Sequence, residues 1–381
     1  MENRTINSIL FICFLLSMMP MTGCQSKVNK TSATNREEVK FDICTGVNIS
    51  SWLSQVSTRP KGCSAKNFFT EADLKRLAEW GFDHIRLPVD ESQLFTPEGK
   101  FIPGTLQSIH EAIRWCKENK MRIVLDLHIL RSHYFNDKEN MTLWTDAAEQ
   151  DRLTGMWRKI SREFGHYPNG LLAYELLNEP VPPTPDIWNA LSARLIKEIR
   201  KTERNRTLIF GGGEHNSVKS LQALTVPEND SNFMLAFHFY TPHLLTHYKA
   251  PWMRLRNLDI PLHYPGQLVN KSDADTLRNE VHKAIVEHFN GVYDKEVLRE
   301  RMTIAFTKSR QTGLRLYCSE FGCISFTDKT VKEKWFRDVK ELFKENNVAG
   351  SVWGYKAGFG ILTNDGTVAN WKIINILTNK N

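Results

Sequence analysis

Short apolar runs alternate with longer amphipathic ones along this chain. Eight of the short runs are expected strands: Ile43–Ile49, Phe82–Leu87, Arg122–Leu127, Leu171–Leu177, Thr207–Phe210, Phe233–Phe239, Leu314–Cys318 and Ala349–Trp353. An apolar or aromatic run closed by polar residues and then Pro or Gly reads as a strand buried on both faces. Between the runs lie helical stretches. Thr70-Glu-Ala-Asp73 opens one as a capping-box-like start, with Leu74, Leu77 and Ala78 on one face. Gly104–Asn119, Trp144–Phe164, Asp186–Lys201, Val331–Lys344 and a last turn near Trp371–Leu377 follow. Buried strands alternating with helices imply right-handed parallel βα units. Eight of them fit an α/β fold, the (β/α)8 TIM barrel, which takes about 250 residues plus insertions. One domain is expected over residues 41–381. Its main insertion, Thr241 to about Tyr293, follows the sixth strand and is rich in His, Tyr, Trp and Pro, as a lid or wall above the barrel mouth would be.

The N-terminus departs from this rhythm. Ile6 to Met21 is nearly all apolar, too short for a comfortable span, and ends in Met21-Thr22-Gly23-Cys24. An apolar stretch closed by small residues is a secretory signal. A Cys directly after Thr-Gly resembles the bacterial lipobox. Residues 1–23 are therefore expected to be a lipoprotein signal peptide, with Cys24 the lipidated first residue of an exported, membrane-anchored bacterial protein. Periplasmic and surface-facing anchors are both open, as is a plain signal peptide cut elsewhere. Residues 24–40 have almost no apolar content and read as a flexible tether. Of the seven Cys, five lie beyond this segment, unevenly spaced and with no CxxC pair, which argues against a disulfide framework or structural zinc. One disulfide is possible in an oxidising compartment.

Hydrophobic content of 41% and charged content of 24% suit a soluble globular protein. The net charge of +7 is mild and its Lys and Arg are scattered, so no nucleic-acid footprint is read. The chain is expected to act as a monomer without a cofactor.

In such a barrel the active site lies at the C-terminal ends of the strands. Those ends carry, in order, Asn48 with Trp52 just beyond, Arg86, His128, Asn178-Glu179, Glu214-His215, His238 with Tyr240, Glu320 and Trp353. Either glutamate alone could be a rim group held by a nearby cation. Two carboxylates delivered on opposing strands are the equipment of glycoside hydrolysis, and the whole set at the strand ends points to one site.

These residues resemble glycoside hydrolase family 5, which uses two Glu on strands four and seven. The resemblance spans about Gly46 to Gly360 and rests on Arg86, His128, Asn178, Glu179, His238, Tyr240, Glu320 and Trp353, with the strings NEP and EFG. It implies retaining hydrolysis of a β-glycosidic bond, with Glu320 as nucleophile and Glu179 as acid/base. Arg86 and Tyr240 would keep Glu320 ionised. The acid Glu179 needs a raised pKa, from a drier site and the charge of Glu320. Asn178 would bond the sugar 2-hydroxyl, His128 and His238 would position sugar or Glu179, and Trp353 would floor the site. Trp52, Trp252 and Tyr264 are candidate sugar platforms farther out. Glu175 should lie deeper in the barrel, paired or protonated. The loop after His128 (Ile-Leu-Arg) and the SSWLSQ string around Trp52 depart from the family's usual pattern, leaving subsite shape open.

The expected substrate is a β-linked polysaccharide or oligosaccharide, with a β-glucan favoured because the stretch Tyr240–Trp252 looks cellulase-like. A β-mannan or β-1,3-glucan is open. So are a metal-dependent barrel enzyme, using Asp126, His128, Glu179, Glu214, His238 and Glu320 as ligands, and a non-catalytic carbohydrate-binding barrel.

Overall fold

A computed structural model describes residues 40–380 apart from Lys61, Lys138 and Asn140. The expected signal segment, Cys24 and all of the tether but Lys40 lie outside the described residues. The eight expected strands all form: β1 Thr45–Asn48, β2 His84–Val89, β3 Arg122–Leu127, β4 Leu172–Glu175, β5 Leu208–Gly211, β6 Phe233–Phe239, β7 Arg315–Phe321 and β8 Ala349–Val352. They pair in parallel and close as β1-β8-β7-β6-β5-β4-β3-β2, a (β/α)8 barrel. Several ends differ from expectation. β2 and β7 run on to Val89 and Phe321, whereas β4 stops at Glu175, so Asn178 and Glu179 stand on the loop beyond it.

The helices wrap the outside: α1 Glu71–Trp80, α2 Pro103–Glu118, α3 Ala147–Phe164 and α4 Pro185–Ile199 follow β1 to β4 in turn. Thr70 and Asp73 close a capping box at the start of α1, and Gly81, at φ 97°, ends it. The unit after β5 breaks the pattern, with only the short turn Gly213–Asn216 and a 3-10 turn, Lys219–Ala223, where a helix would stand. Within the insertion after β6 lie a short helix, His243–Thr246, a two-residue antiparallel ribbon pairing Gly266–Gln267 with Val292–Tyr293, and α5 Glu280–Phe289. Its first turns are tied to the β7 side by Ile324 N donating to Thr246 O (2.9 Å) and Trp335 Nε1 donating to Thr241 O (2.9 Å). Then come α6 Lys295–Thr312, α7 Lys329–Glu345 and α8 Trp371–Thr378. The five described cysteines are all free.

Strand period two sorts the buried side chains into two sets. One fills the space between sheet and helices. The other lies inside the barrel: Phe41, Ile43, Val124, Ala173, Ile209, Met234, Ala236, Tyr317 and Ala349. Two positions further along the same inward rows, Val124 gives way to Asp126 and Ala173 to Glu175, both fully buried. Along β3 and β4 the interior thus passes from apolar to charged toward the C-terminal ends.

A polar network sits at the foot of the barrel. His84 Nδ1 is 2.6 Å from Asp83 Oδ1, its Nε2 is 2.9 Å from Ser351 Oγ, and Ser351 Oγ is 2.6 Å from the Tyr317 hydroxyl. The imidazole lies directly on β1. A Cβ at Gly46 would come within 2.3 Å of His84 Nε2, so only glycine leaves room.

Candidate active site

Arg86 is the hub of the mouth. Its side chain is fully buried and turned inward from the middle of β2. Nε and Nη2 donate to Glu175 at 2.6 and 3.1 Å, Nη1 to Asn48 Oδ1 at 2.9 Å and to Glu320 Oε1 at 3.0 Å, and Nη2 to Asn178 Oδ1 at 2.8 Å. Asp126 Oδ2 also lies 3.0 Å from Nη2. Burial opposes the guanidinium charge, but Asp126, Glu175 and Glu320 outweigh it and hold its pKa well above the usual value. One permanent cation thus touches three carboxyls. Glu175 is paired with Arg86, as its deep position required.

The carboxyls respond to the same burial. Asp126 is pushed up to about 7, Arg86 only partly opposing. Glu320 accepts from Arg86 and, on Oε2, from the Tyr240 hydroxyl at 3.0 Å. Even so, burial raises its pKa. His238 and Arg86 pull it down, and the charge of Glu179 adds to the rise. The two expected donors are in place but do not carry the carboxyl below its ordinary value. Glu179 is raised to about 7, first by burial; Asp126 adds to the rise, and His215 and Arg86 oppose it. Asp126 thus joins the nearby Glu320 as a like charge facing Glu179.

The histidines are neutral donors or acceptors. Burial depresses His128 and His238 to about 4. His238 Nδ1 is 2.9 Å from Glu179 Oε1 and 3.6 Å from Glu320 Oε2. His128 Nδ1 is 2.8 Å from Asp126 Oδ2, and its ring stacks on the half-buried Trp353 at 5.6 Å and 9°. Among the described residues, four buried polar atoms in the mouth have no protein partner: Asn178 Nδ2, His128 Nε2, His238 Nε2 and Asp126 Oδ1. Buried polar atoms are normally satisfied, and these four are free to bond hydroxyl-bearing groups.

One oxygen each of Glu179 and Glu320 and a ring nitrogen of His238 lie within 4.8 Å of one another. A cation could be held by such a trio, but Arg86 already donates to Glu320 there.

The chain was compared with known proteins. The profile of a family described as cellulase (glycosyl hydrolase family 5) matches residues 45–358. The chain belongs to glycosyl hydrolase family 5. Endoglucanase C of Acetivibrio thermocellus is 32% identical over 339 residues, covering 88% of this chain and 98% of that protein. Cellodextrinase A of Ruminococcus flavefaciens is 26% identical over 343 residues, covering 89% and 94%. Endoglucanase Cel5A from the hyperthermophilic Thermotoga maritima shares the fold, with a TM-score of 0.71 at 22% identity over 88% of this chain and 96% of that one. As a member of family 5 the chain is a glycoside hydrolase.

The eight positions that carry the family 5 resemblance form one connected cluster through Arg86, Asp126 and the two glutamates. Two other expectations are corrected. Trp52 is 2% exposed, donates Nε1 to Ala65 O at 2.7 Å and packs on Phe69 and Trp115, so it is core and offers no face to sugar. Tyr264 is buried, with its hydroxyl 2.6 Å from Asp338. Glu214 is exposed, as a surface-loop residue would be. Trp252 does reach solvent, at 63% exposure. It meets Phe359 at 6.2 Å, and Phe359 meets Tyr240 at 6.0 Å, so an aromatic track runs outward from Glu320. Sequence reasoning passed over Phe359, Phe135 and His133. Phe359, in the Gly-flanked turn Ala357-Gly-Phe-Gly360, has no periodicity to mark it.

Proposed function

We propose that this family 5 enzyme is an endo-acting β-glucanase of the β-1,4 type that hydrolyses its substrate with retention. The observation that carries the reading is that one oxygen of Glu179 lies within 4.8 Å of one oxygen of Glu320, closer than a water between them would allow for an inverting pair. Retaining glycosidases hold their carboxyls about 5–5.5 Å apart, whereas inverting ones leave about 6.5–9.5 Å for a water.

In the first step a Glu320 oxygen bonds to the anomeric carbon as the bond to the leaving oxygen breaks. Glu179, protonated near neutrality, gives that oxygen its proton. In the second step the ionised Glu179 takes a proton from water, the water oxygen bonds to the anomeric carbon, and Glu320 leaves as carboxylate. Arg86 and the Tyr240 hydroxyl hold Glu320 toward the sugar. Asn178 Nδ2 donates to the 2-hydroxyl, a bond that strengthens in the transition state. His128 Nε2 and His238 Nε2 face other hydroxyls, and Trp353 lies under the ring. Trp252 and Phe359 offer apolar faces to a chain extending beyond the cut, which supports action within a polymer. The names of Endoglucanase C and Cellodextrinase A favour a cello-configured substrate. The residues before the barrel are proposed to anchor the enzyme through Cys24, which fatty-acid labelling of the wild type and of Cys24→Ser would test.

The test of function is reducing-end release from carboxymethyl-cellulose, mixed-linkage glucan, glucomannan, xyloglucan and laminarin, with proton NMR of the first-formed anomer. Release from the β-1,4-glucans as β-anomer is expected. An α-anomer would overturn retention, and release confined to glucomannan or laminarin would overturn the substrate.

A further inference from the structure

Glu179 is held in an unusual backbone state, at φ 44°. It precedes Pro180, and a residue before proline ordinarily prefers extended backbone. Non-glycine residues stay in the left-handed region only where surrounding contacts over-determine them. The contacts here come from two other loops. His133, on the loop after β3, is fully buried, and its Nε2 lies 3.1 Å from Glu179 O. A carbonyl oxygen can only accept, so Nε2 carries the hydrogen. No backbone amide among the described residues bonds that carbonyl. His133 Nδ1 has no partner among the described residues, and the ring packs edge-on against Trp144 at 5.1 Å. Among the described residues, the one protein hydrogen bond of its ring nitrogens is therefore that to Glu179. Its own backbone is clasped to Leu130 by a pair of bonds of 2.9 and 3.2 Å. From the other side, His215 N donates to Pro180 O at 3.3 Å and His215 Nε2 is 3.2 Å from Phe135 O.

We propose that His133 is a positioning residue for the acid/base: through its Nε2–H bond to the Glu179 carbonyl it keeps the Glu179 backbone left-handed, so that the carboxyl meets the leaving oxygen. His133 touches no sugar and acts only through Glu179. The inference rests on the reading of Glu179 as acid/base. Burial depresses His133 to about 4, so the ring stays neutral and the donor is present throughout the working range. The sequence signal was weak because His133 lies five residues past His128, in the loop where the chain departs from the family pattern.

The test separates proton donation from folding. A 2,4-dinitrophenyl β-cellobioside has a leaving group that departs without an acid, whereas a cello-oligosaccharide needs one. His133→Phe keeps the ring against Trp144 and removes the donor; His133→Met serves if the phenylalanine variant does not fold; His133→Gln keeps a donor. For the donor-less variants, kcat/KM on cellotetraose is expected to fall about ten- to a hundredfold, the cost of roughly an ångström of misplacement, with less than a twofold change on the dinitrophenyl substrate. The basic limb of the cellotetraose profile should move to lower pH as water reaches Glu179. His238, Glu320, Tyr240, Arg86, Asp126 and His215, the groups facing Glu179, are untouched by the substitution. His133→Gln should recover most of the rate. Equal losses on both substrates, or no loss on either, would overturn the inference. Glu179→Gln is the control. If it spares cellotetraose hydrolysis, the acid/base reading itself is wrong; if it shows the leaving-group dependence and the His133 variants do not, only the role of His133 falls.

Discussion

Two polar clusters occupy the same barrel and differ in one respect. At the foot, Asp83, His84, Ser351 and Tyr317 form a chain in which both imidazole nitrogens and both hydroxyls have partners. At the mouth, Arg86 gathers Asp126, Glu175 and Glu320, yet Asn178, His128, His238 and Asp126 each keep a buried atom without a partner. Both clusters are largely buried, with Asp83 half-exposed at the edge of the foot, and both pair a histidine with an aspartate. The foot even has the Asp-His-Ser order of a nucleophilic triad, but Ser351 is fully buried and bonded on both sides. Polarity inside a fold therefore does not mark a site. Unpartnered polar atoms gathered beside two close carboxyls set the mouth apart.

The contrast can be broken most directly by substitution. Glu320→Gln should lower kcat by about four orders of magnitude or more, as loss of a nucleophile does. It should leave the melting temperature unchanged or slightly raised, because one buried like charge is relieved. A marked loss of stability would mean the mouth is a structural network like the foot. His84→Ala should do the reverse. It takes one partner each from Asp83 and Ser351, which keep Cys44 N, Thr45 N and the Tyr317 hydroxyl, and leaves a cavity, at about 2–4 kcal/mol of stability, while the folded fraction keeps its kcat/KM. Chemical denaturation with parallel rate measurements checks both, and a large kcat effect at His84 would dissolve the distinction.

The pH profile sharpens the comparison. Glu179 must be protonated to act as acid, so kcat/KM on unactivated glucan should fall as pH rises through about 7. Glu320 must be ionised, so activity should fall as pH drops through a value above that of an ordinary glutamate. A dinitrophenyl leaving group should abolish the basic limb only. If that limb persists, a group other than Glu179 sets it. The smallest effect is expected outside the cluster. Trp252→Ala should raise KM for long glucans about fivefold, on the order of 1 kcal/mol for an exposed aromatic contact, and leave cellobioside kinetics alone. Trp52→Phe should change neither KM.

Much of this was legible before any coordinates. The strand ends differ by a few residues because pairing partners, not local pattern, decide where a ladder stops. No helical pattern marks the stretch after β5, where eight apolar runs alone suggest a complete unit and the structure has only short turns. Trp52 and Trp252 are indistinguishable as residues in a string. One is enclosed by Phe69 and Trp115, brought by distant segments, and the other is left on an insertion. By itself the sequence determined the order of strands and the catalytic candidates each one delivers, because strand period and terminating residues are local and survive without neighbours. Only the tertiary structure decided which polar atoms remain unpaired, which aromatics reach solvent, and that Glu179 is bent left-handed beneath His133. Those depend on contacts between residues far apart in the chain, and no local preference encodes them; at Glu179 the local preference points the other way.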